Sequence, residues 1–384
     1  MSKTIQETPV EKLNAKAAQT LYLAFELSRK KWKLAFSDGK MPRVRIVTIG
    51  AQDWEALNQE LERARVRYGL EKTAGVMSCY EIGRESFWLH RALVSRGIEN
   101  IVVDAASIEV NRRDRRAKTD RMDAEKLVQQ LMRYATGERR VWSVVRVPDE
   151  QAEDARQLHR DLGVLTRERT QHRTRIQGLL FAQGVDMPVS SRFLEQLERL
   201  RLWDGRAIPG GLQQRLRREY ERLQAVEADL RQLRKQQAEK LQTARTPDIK
   251  KIARLQQLHG IGMRSSWMFV MELFGWREFK NRREVAGAIG LTPTPYQSGE
   301  SDREQGISRS GNRRVRAMAI EIAWCWLRFQ PGSELSRWYR KRFASGGARM
   351  RKIGIVAMAR RLVIDLWRYL EQGTVPVGAR LKTC

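Results

Sequence analysis

Two aspartates, Asp120 and Asp123, stand three residues apart in "RRAKTDRMDAEKLVQQL", directly after a run of basic residues. The apolar spacing that follows predicts a helix, and residues three apart share a helix face with Cβ atoms roughly 5–6 Å apart. Two more acids end predicted strands: Glu26 in "LYLAFEL" and Glu81 in "GVMSCYEIG". Four carboxylates brought together repel one another unless a cation lies between them, and hard oxygen ligands favour Mg²⁺ or Mn²⁺.

Such a site would serve phosphodiester chemistry, in which two ions about 3.5–4 Å apart hold the attacking and the leaving oxygen. The cations before the aspartates would draw a phosphate backbone toward them: Arg112, Arg113, Arg115, Arg116 and Lys118. Each acid also has an ordinary explanation. Asp120 suits the first turn of a helix, where the dipole favours an acid, and Asp123 suits a surface. Glu26 shares a strand face with Tyr22 and Ala24, and that face can point to solvent.

The order of the predicted elements explains how the acids would meet. Three strands in a meander, "LYLAFEL", "KWKLAFSDG" and "RVRIVTIG", precede a helix, the strand "GVMSCYEIG", a second helix, the strand "NIVVDAAS" and the helix that carries the aspartates. In this βββαβαβα order the first and fourth strands lie side by side, which brings Glu26 and Glu81 together at their carboxyl ends. A mixed α/β fold with helices on both sheet faces is the economical packing.

The chain changes character after the first third. Between Gln151 and Gly184, apolar residues recur at alternating steps of four and three, with Arg169 and His172 at two seam positions. A second such run follows Pro209. This pattern predicts an antiparallel coiled-coil hairpin or a seam with a second copy of the chain, and we favour a strut and dimerisation role over a catalytic one.

The last third predicts a mainly helical domain. The glycine turn in "LQQLHGIGMRSS" is typical of a helix-hairpin-helix, whose amides approach a phosphate, or of a plain helical hairpin. Four tryptophans in helical apolar patterns are expected in the core or at subunit contacts: Trp324, Trp326, Trp338 and Trp367. The predicted divisions are a polar tail at 1–18, the metal-binding domain at 19–145, the coiled-coil segment at 146–248 and the helical domain at 249–384.

The overall charge indicates the class of partner. The 384 residues carry 73 Lys and Arg against 45 Asp and Glu, a formal net charge of +28, which favours nucleic acid because neutralised phosphates release counterions. We find no apolar run of the roughly 20 residues that span a bilayer and no signal-peptide pattern, which predicts a soluble, cytoplasmic, nucleoid-associated protein without a membrane partner. The cysteines and histidines show no zinc or disulfide spacing.

Three stretches carry a family resemblance: "YEIGRESFWLHRAL", "KTDRMDAEKL" and "AGAIGLTPTPYQSGESDREQGISRSGNRRVR". They resemble the DEDD-type insertion-sequence transposases, the bridge-RNA-guided DNA recombinases, over the chain from about Leu21 to about Leu370. The resemblance implies a RuvC-like domain of the RNase H fold, a coiled-coil segment and a C-terminal serine transposase domain. Family members usually have aspartate at the first acidic position, where this chain has Glu26 in "AFEL".

The resemblance also implies roles for individual residues. Ser298, in "YQSGES", becomes the nucleophile that links covalently to DNA, and the acidic tetrad binds Mg²⁺ or Mn²⁺. The resemblance further implies a homo-oligomer, either a dimer or a tetramer, in which the acids of one subunit meet the serine of another. From the residues alone, the serines of this stretch are ordinary loop or capping residues: Ser298, Ser301, Ser308 and Ser310.

Arginines follow the candidate serine and would donate to phosphates and to charge that develops on the scissile oxygens: Arg303, Arg309, Arg313, Arg314 and Arg316. Several of them begin a helix whose apolar side, including Val315 and Ile322, belongs in a core, and both roles are compatible.

Three functions remain to be separated. The first is a site-specific recombinase that acts on double-stranded target and donor DNA chosen by a non-coding guide RNA. The second is a metal-dependent nuclease or Holliday-junction resolvase that uses water and forms no covalent intermediate. The third is an architectural or RNA-binding protein whose carboxylates do no chemistry.

Overall fold

The computed structural model describes residues 20–83, 87–108, 120–298 and 301–382, and the chain divides into two compact units between Pro148 and Asp149. Each unit buries apolar clusters of its own. The units are therefore described separately.

The first unit is built on a five-stranded sheet in the order β3-β2-β1-β4-β5. Strands β1 to β3 are antiparallel neighbours, whereas β4 runs parallel to β1, and β5 parallel to β4. The predicted adjacency of the first and fourth strands is confirmed. The strands are β1 (Thr20–Leu27), β2 (Lys31–Ser37), β3 (Arg45–Gly50), β4 (Gly75–Glu81) and β5 (Glu99–Val103), and the helices are α1 (Trp54–Tyr68), α2 (Trp88–Val94) and α3 (Asp120–Ala135).

Helices cover both faces of this sheet, because the strands are apolar on both sides. Leu23 and Phe25 of β1 lie on the face packed by α1 and α2, through residues such as Leu57 and Leu89. The alternate residues of β1 lie on the opposite face, where α3 packs with Ala124, Leu127, Val128 and Leu131. The predicted mixed α/β architecture with helices on both faces is confirmed.

The second unit begins with a pair of long antiparallel helices. They are α5 (Gln157–Phe181), which follows the short α4 (Glu150–Asp154), and α7 (Gly210–Thr243), with α6 (Phe193–Arg199) in the connection. Ile176 and Leu180 pack near the start of α7, whereas Leu158 packs near its end. One of the two polar seam positions has a partner across the pair, since His172 Nδ1 lies 2.8 Å from Glu219 Oε2.

The rest of the second unit is helical apart from one hairpin. Its helices are α8 (Pro247–Gln256), α9 (Met263–Phe269), α10 (Arg282–Ala288), α11 (Arg313–Phe329), α12 (Glu334–Tyr339) and α13 (Ala348–Gln372), and its strands are β6 (Pro293–Ser298) and β7 (Ser301–Ile307). A π-helical turn, Val270–Phe274, continues α9.

The tryptophans of α11 do not all lie in the core. Trp326 is fully buried, whereas Trp324 is 47% exposed and therefore lies outside the core, so that for Trp324 the other predicted position, a subunit contact, stays a prediction. The buried side of α11 runs through Val315, Ala319, Ile322 and Trp326 at steps of four and three. Trp324 is two positions from Trp326, which turns it about 200° around the helix axis.

Main-chain segments approach closely next to the hairpin. Gly290 and Gly311 both have positive φ, and a Cβ atom at Gly290 would lie 1.8 Å from the Ser310 carbonyl oxygen. A Cβ atom at Gly311 would lie 2.3 Å from the Ala288 carbonyl oxygen. Neither position therefore accepts a side chain.

Among the described helices, none is long and apolar enough to cross a membrane. Cys79 and Cys325 are free thiols, and burial raises the pKa of the Cys79 thiol.

Candidate functional site

Two of the predicted acids lie at the same end of the first unit's sheet. Glu26 is the penultimate residue of β1, and Glu81 is the last residue of β4. The parallel register pairs Phe25 with Tyr80, so the next position along each strand is an acid. Neighbouring strands lie about 4.7–4.9 Å apart, and the two acids are therefore cross-strand neighbours.

Both acids belong to the sheet face that α3 covers. Strand alternation puts Glu26 on the side of Ala24, and Glu81 on the side of Cys79, and both of these small residues pack against α3. Glu26 is half-buried rather than fully exposed. A solvent-facing strand position therefore does not explain Glu26, because α3 occupies that side of the sheet.

The aspartates stand on the first turn of α3. The Asp120 side chain is 77% exposed, and its Oδ2 lies 3.7 Å from Nζ of Lys33. Lys33 is the β2 residue that pairs with Glu26, so Asp120 lies at the same sheet end as Glu26. Asp123 lies three residues further along the same turn and is half-buried.

The donor chemistry fits a hard divalent cation, because these four side chains offer only carboxylate oxygens. Their placement is less tight than a closed metal site. Within the described ranges, no three or more His, Cys, Asp or Glu side chains form a group that could hold a metal ion. The structure thus brings Glu26, Glu81, Asp120 and Asp123 to one end of one face without closing them into a ligand cage.

Part of the predicted nucleic-acid surface lies outside the described residues. This holds for the cations before α3, namely Arg112, Arg113, Arg115, Arg116 and Lys118. The main chain of Arg303 forms part of β7, but the side chain of Arg303 lies outside the described part of the structure.

The candidate serine lies at a strand end rather than in an open loop. Ser298 is the last residue of β6 and pairs with Ser301, the first residue of β7. The two serines therefore flank the tip of a hairpin.

Ser308 and Ser310 lie at the other end of the hairpin and bind each other. Their hydroxyl oxygens are 3.0 Å apart, and the Thr292 hydroxyl donates to Ser308 Oγ at 3.1 Å. The Ser308 amide also donates to the Thr292 carbonyl at 2.9 Å. These contacts give Ser308 and Ser310 a structural role at the hairpin base.

The described arginines after the hairpin divide into two groups. Arg316 Nη1 donates to the carbonyls of Ile289 and Ser310, each at 3.1 Å, and burial together with nearby Arg313 and Arg309 lowers the pKa of Arg316. Arg309, Arg313 and Arg314 are exposed. Cations at the start of α11 oppose the helix dipole, at a cost of about 0.3–1 kcal/mol each, which an anionic partner would offset.

Comparison with known proteins decides the family. A sequence model described as the transposase IS116/IS110/IS902 family matches residues 252–339. The chain is 39% identical to the putative transposase y4rJ of Sinorhizobium fredii over 378 residues, which are 94% of this chain and 95% of that protein. The chain belongs to the IS116/IS110/IS902 transposase family.

More distant relatives of this transposase carry similar names. It is 28% identical to the putative transposase y4qE of Sinorhizobium fredii over 299 residues, 77% of this chain and 69% of that protein. It is 24% identical to the transposase for insertion sequence element IS1328 of Yersinia enterocolitica over 268 residues, 67% of this chain and 73% of that protein.

A buried carboxylate in the matched part of the transposase was not predicted. Glu272 stands on the π-helical turn with 2% of its side chain exposed, and Arg160 binds it through two hydrogen bonds of 2.8 and 2.9 Å. His159 Nε2 lies 3.0 Å from Glu272 Oε1, and Asn312 Nδ2 donates to Oε2 at 3.1 Å. Burial alone would raise the pKa of Glu272, but the hydrogen bonds from His159 and Arg160 and their charges hold it below the usual range.

Glu272 connects the long helical pair to the base of the hairpin. His159 and Arg160 belong to α5, and Asn312 accepts hydrogen bonds from the amides of Arg314 and Val315 as the N-cap of α11. A signal was present in the sequence, since Glu272 is the single charged residue in the apolar run "WMFVMELFGW". A charge inside such a run indicates a buried, paired side chain.

Replacing Glu272 with glutamine is expected to lower the stability of the transposase and its dependence on pH. Because the native pKa of Glu272 is depressed, its contribution is complete above the unfolded-state value of about 4.3 and is lost as pH falls toward the native value. The variant should lose about 3–5 kcal/mol at pH 7, since Arg160 and His159 then face an uncharged group. Urea denaturation at pH 7 and pH 4 measures both quantities.

Glu239→Gln serves as the matched control for this measurement, because Glu239 is an exposed carboxylate on α7. Glu239→Gln should leave the free energy of unfolding, and the change of that free energy with pH, nearly the same as in wild type. Equal pH slopes for wild type and Glu272→Gln would show that Glu272 does not carry a native charge.

Proposed function

We propose that this transposase cuts and rejoins DNA through the Ser298 hydroxyl, with a divalent cation held by Glu26, Glu81, Asp120 and Asp123. The observation that carries the proposal is the placement of these acids at one end of one sheet face. Glu26 and Glu81 are neighbours on parallel strands, and Asp120 reaches Lys33, the cross-strand partner of Glu26.

We propose further that the first unit is a RuvC-like domain of the RNase H fold. Support comes from the strand order β3-β2-β1-β4-β5, from the antiparallel meander of the first three strands and from the parallel addition of β4 and β5. The central helical pair is proposed to act as a coiled-coil strut, and the active protein is proposed to be a dimer or tetramer.

The acids would hold Mg²⁺ or Mn²⁺, which neutralises negative charge on the transferring phosphate and activates the attacking oxygen. The side chains named here supply the oxygen ligands and fix where the phosphate binds. Lys33 partly neutralises Asp120 before any cation arrives.

The serine step conserves the phosphodiester bond energy. Ser298 Oγ forms a bond to phosphorus, the bond from phosphorus to one deoxyribose oxygen breaks, and that oxygen takes up a proton while the serine loses its own. A hydroxyl of another strand then reverses the step and releases the serine. Because one phosphoester replaces another, rejoining needs no nucleoside triphosphate. Arg313 is exposed and would receive the phosphate, whereas Arg314 Nη1 lies 3.6 Å from Glu272 Oε1.

We propose that a non-coding RNA selects the target and donor duplexes. The net charge of +28 supports simultaneous binding of two polyanions, and the family resemblance of the C-terminal stretch supports the guide. Sequencing of RNA that co-purifies with the protein tests this part. One discrete RNA species is the expected result, and random cellular RNA would contradict it.

A denaturing gel of the protein with end-labelled DNA and Mg²⁺ tests the chemistry. A covalent serine intermediate retains labelled DNA on the protein after denaturation and proteolysis to a peptide. The alternative, a nuclease or junction resolvase that uses water, yields free cut ends and no adduct. Free ends alone would therefore exclude the serine mechanism while leaving the acids in place.

A further inference from the structure

A cleft of about 740 Å³ lies in the second unit, between the start of α10, α12, the middle of α13 and residues 374–377. This volume lies within the roughly 300–1,000 Å³ typical of ligand pockets. The residues proposed above to act on DNA are not among its lining residues in the described part of the chain. The cleft therefore needs an explanation of its own.

Arginine dominates the polar side of the cleft. The arginines that line it are Arg282, Arg283, Arg360, Arg361 and Arg368. The acids that line it are Glu334 and Asp365, and Asp365 Oδ1 lies 3.6 Å from Arg368 Nη1. Two acids cannot neutralise five cations, so the cleft is positive and selects an anion.

One arginine in the cleft is incompletely bonded. Arg360 Nε is buried, yet it has no hydrogen-bond partner within the described part of the chain. Leaving a buried donor without an acceptor destabilises the folded protein.

Apolar side chains line the rest of the cleft, and one of them, Trp338, forms a platform with Arg361. Arg361 lies over the ring of Trp338, with its guanidinium carbon 4.3 Å from the ring centroid, and Phe343 supports Trp338 at 5.3 Å. Ile364 and Val377 extend this apolar wall. Aromatic rings and arginine guanidinium groups are surfaces on which unpaired bases stack.

The arginines and the apolar wall together limit the class of ligand that fits the cleft. A duplex backbone presents phosphates but keeps its bases stacked inside, so it would leave the apolar wall uncovered. An inorganic anion would satisfy the arginines alone. We propose that the cleft binds one unpaired nucleotide of a single-stranded or looped nucleic acid, with its phosphate on the arginines and its base against Trp338 and Arg361.

The inference rests on the proposed nucleic-acid partner but not on the serine or the acids. The test measures binding of labelled single-stranded oligonucleotides by fluorescence anisotropy. The probes are a DNA strand, an RNA strand of the same sequence and an abasic phosphodiester chain of the same length. Wild type should bind the base-bearing strands more tightly than the abasic chain, by about tenfold, because the abasic chain has no base to stack on the platform.

Variants of the platform should erase this preference. Arg361→Ala and Trp338→Leu are expected to bind base-bearing and abasic probes alike, and Arg361→Lys should lose most of the preference although it keeps the charge. Arg349→Ala is the matched control, because Arg349 is an exposed arginine of the same helix that does not line the cleft. It should keep the full preference and lose only the small, salt-dependent part of the affinity.

The outcomes separate this inference from the proposed function. Tighter binding of RNA than DNA, or the reverse, identifies the strand that supplies the nucleotide. Equal binding of base-bearing and abasic probes by wild type, or an equal loss of preference in Arg349→Ala, would overturn the inference. If adduct formation on duplex DNA persists alongside that result, the proposed function stands without the cleft.

Discussion

Ser298→Ala is expected to abolish the covalent protein–DNA adduct and to lower strand exchange by more than about a thousandfold, as loss of a nucleophile does in other covalent enzymes. Binding of RNA and duplex DNA should persist, since alanine removes one hydroxyl from the end of β6 and leaves the hairpin pairing intact. Adduct yield on a denaturing gel and RNA retention on a filter measure the two effects.

Ser301→Ala is the matched control, because Ser301 is the directly paired residue on the opposite strand of the same hairpin. It should retain the adduct. If adduct yield were normal in Ser298→Ala and absent in Ser301→Ala, the nucleophile would have been assigned to the wrong side of the hairpin.

The second large effect is expected at the acidic end of the sheet. Glu81→Gln should lower Mg²⁺-dependent cleavage by about a hundredfold or more, since loss of one charged ligand removes several kcal/mol of transition-state stabilisation. The residual rate should rise with the Mg²⁺ concentration, because the weakened site binds the ion less tightly. Initial rates of cleavage across a Mg²⁺ titration provide the measurement.

Two companion variants sharpen this test. Glu99→Gln changes an exposed glutamate at the start of β5, level with Met77 rather than with Glu81, and should leave the titration unchanged. Glu26→Asp shortens the first acid by one methylene and should keep Mg²⁺-dependent activity. A wild-type titration in Glu81→Gln would remove this carboxylate from the site.

The sheet could be predicted from the sequence because its signals are local. Apolar alternation identifies the strands, and the element order alone brings β1 next to β4. Helices on both sheet faces were predicted, but the half-buried state of Glu26 was not. It depends on where α3 packs, which is decided by burial of residues such as Leu127 about a hundred positions along the chain.

The hairpin and the buried carboxylate were missed for different physical reasons. Pro293 and Pro295 lack amide donors and signal a turn, yet β6 tolerates them because it has a single neighbouring strand. The partners of Glu272 lie 113, 112 and 40 residues away in sequence, at His159, Arg160 and Asn312. No local pattern identifies partners at such separations.

The close main-chain approach at Gly290 and Gly311 affects how functional copies of such a transposase gene can be told from non-functional ones by sequence. Both glycines lie in the stretch by which the chain resembles its relatives, and each is required by neighbouring carbonyl oxygens rather than by chemistry. A degenerate copy that folds but no longer moves would be expected to keep them. Intact glycines therefore indicate only that the encoded protein can fold. Whether it can still move the element must be judged from Ser298 and the four carboxylates.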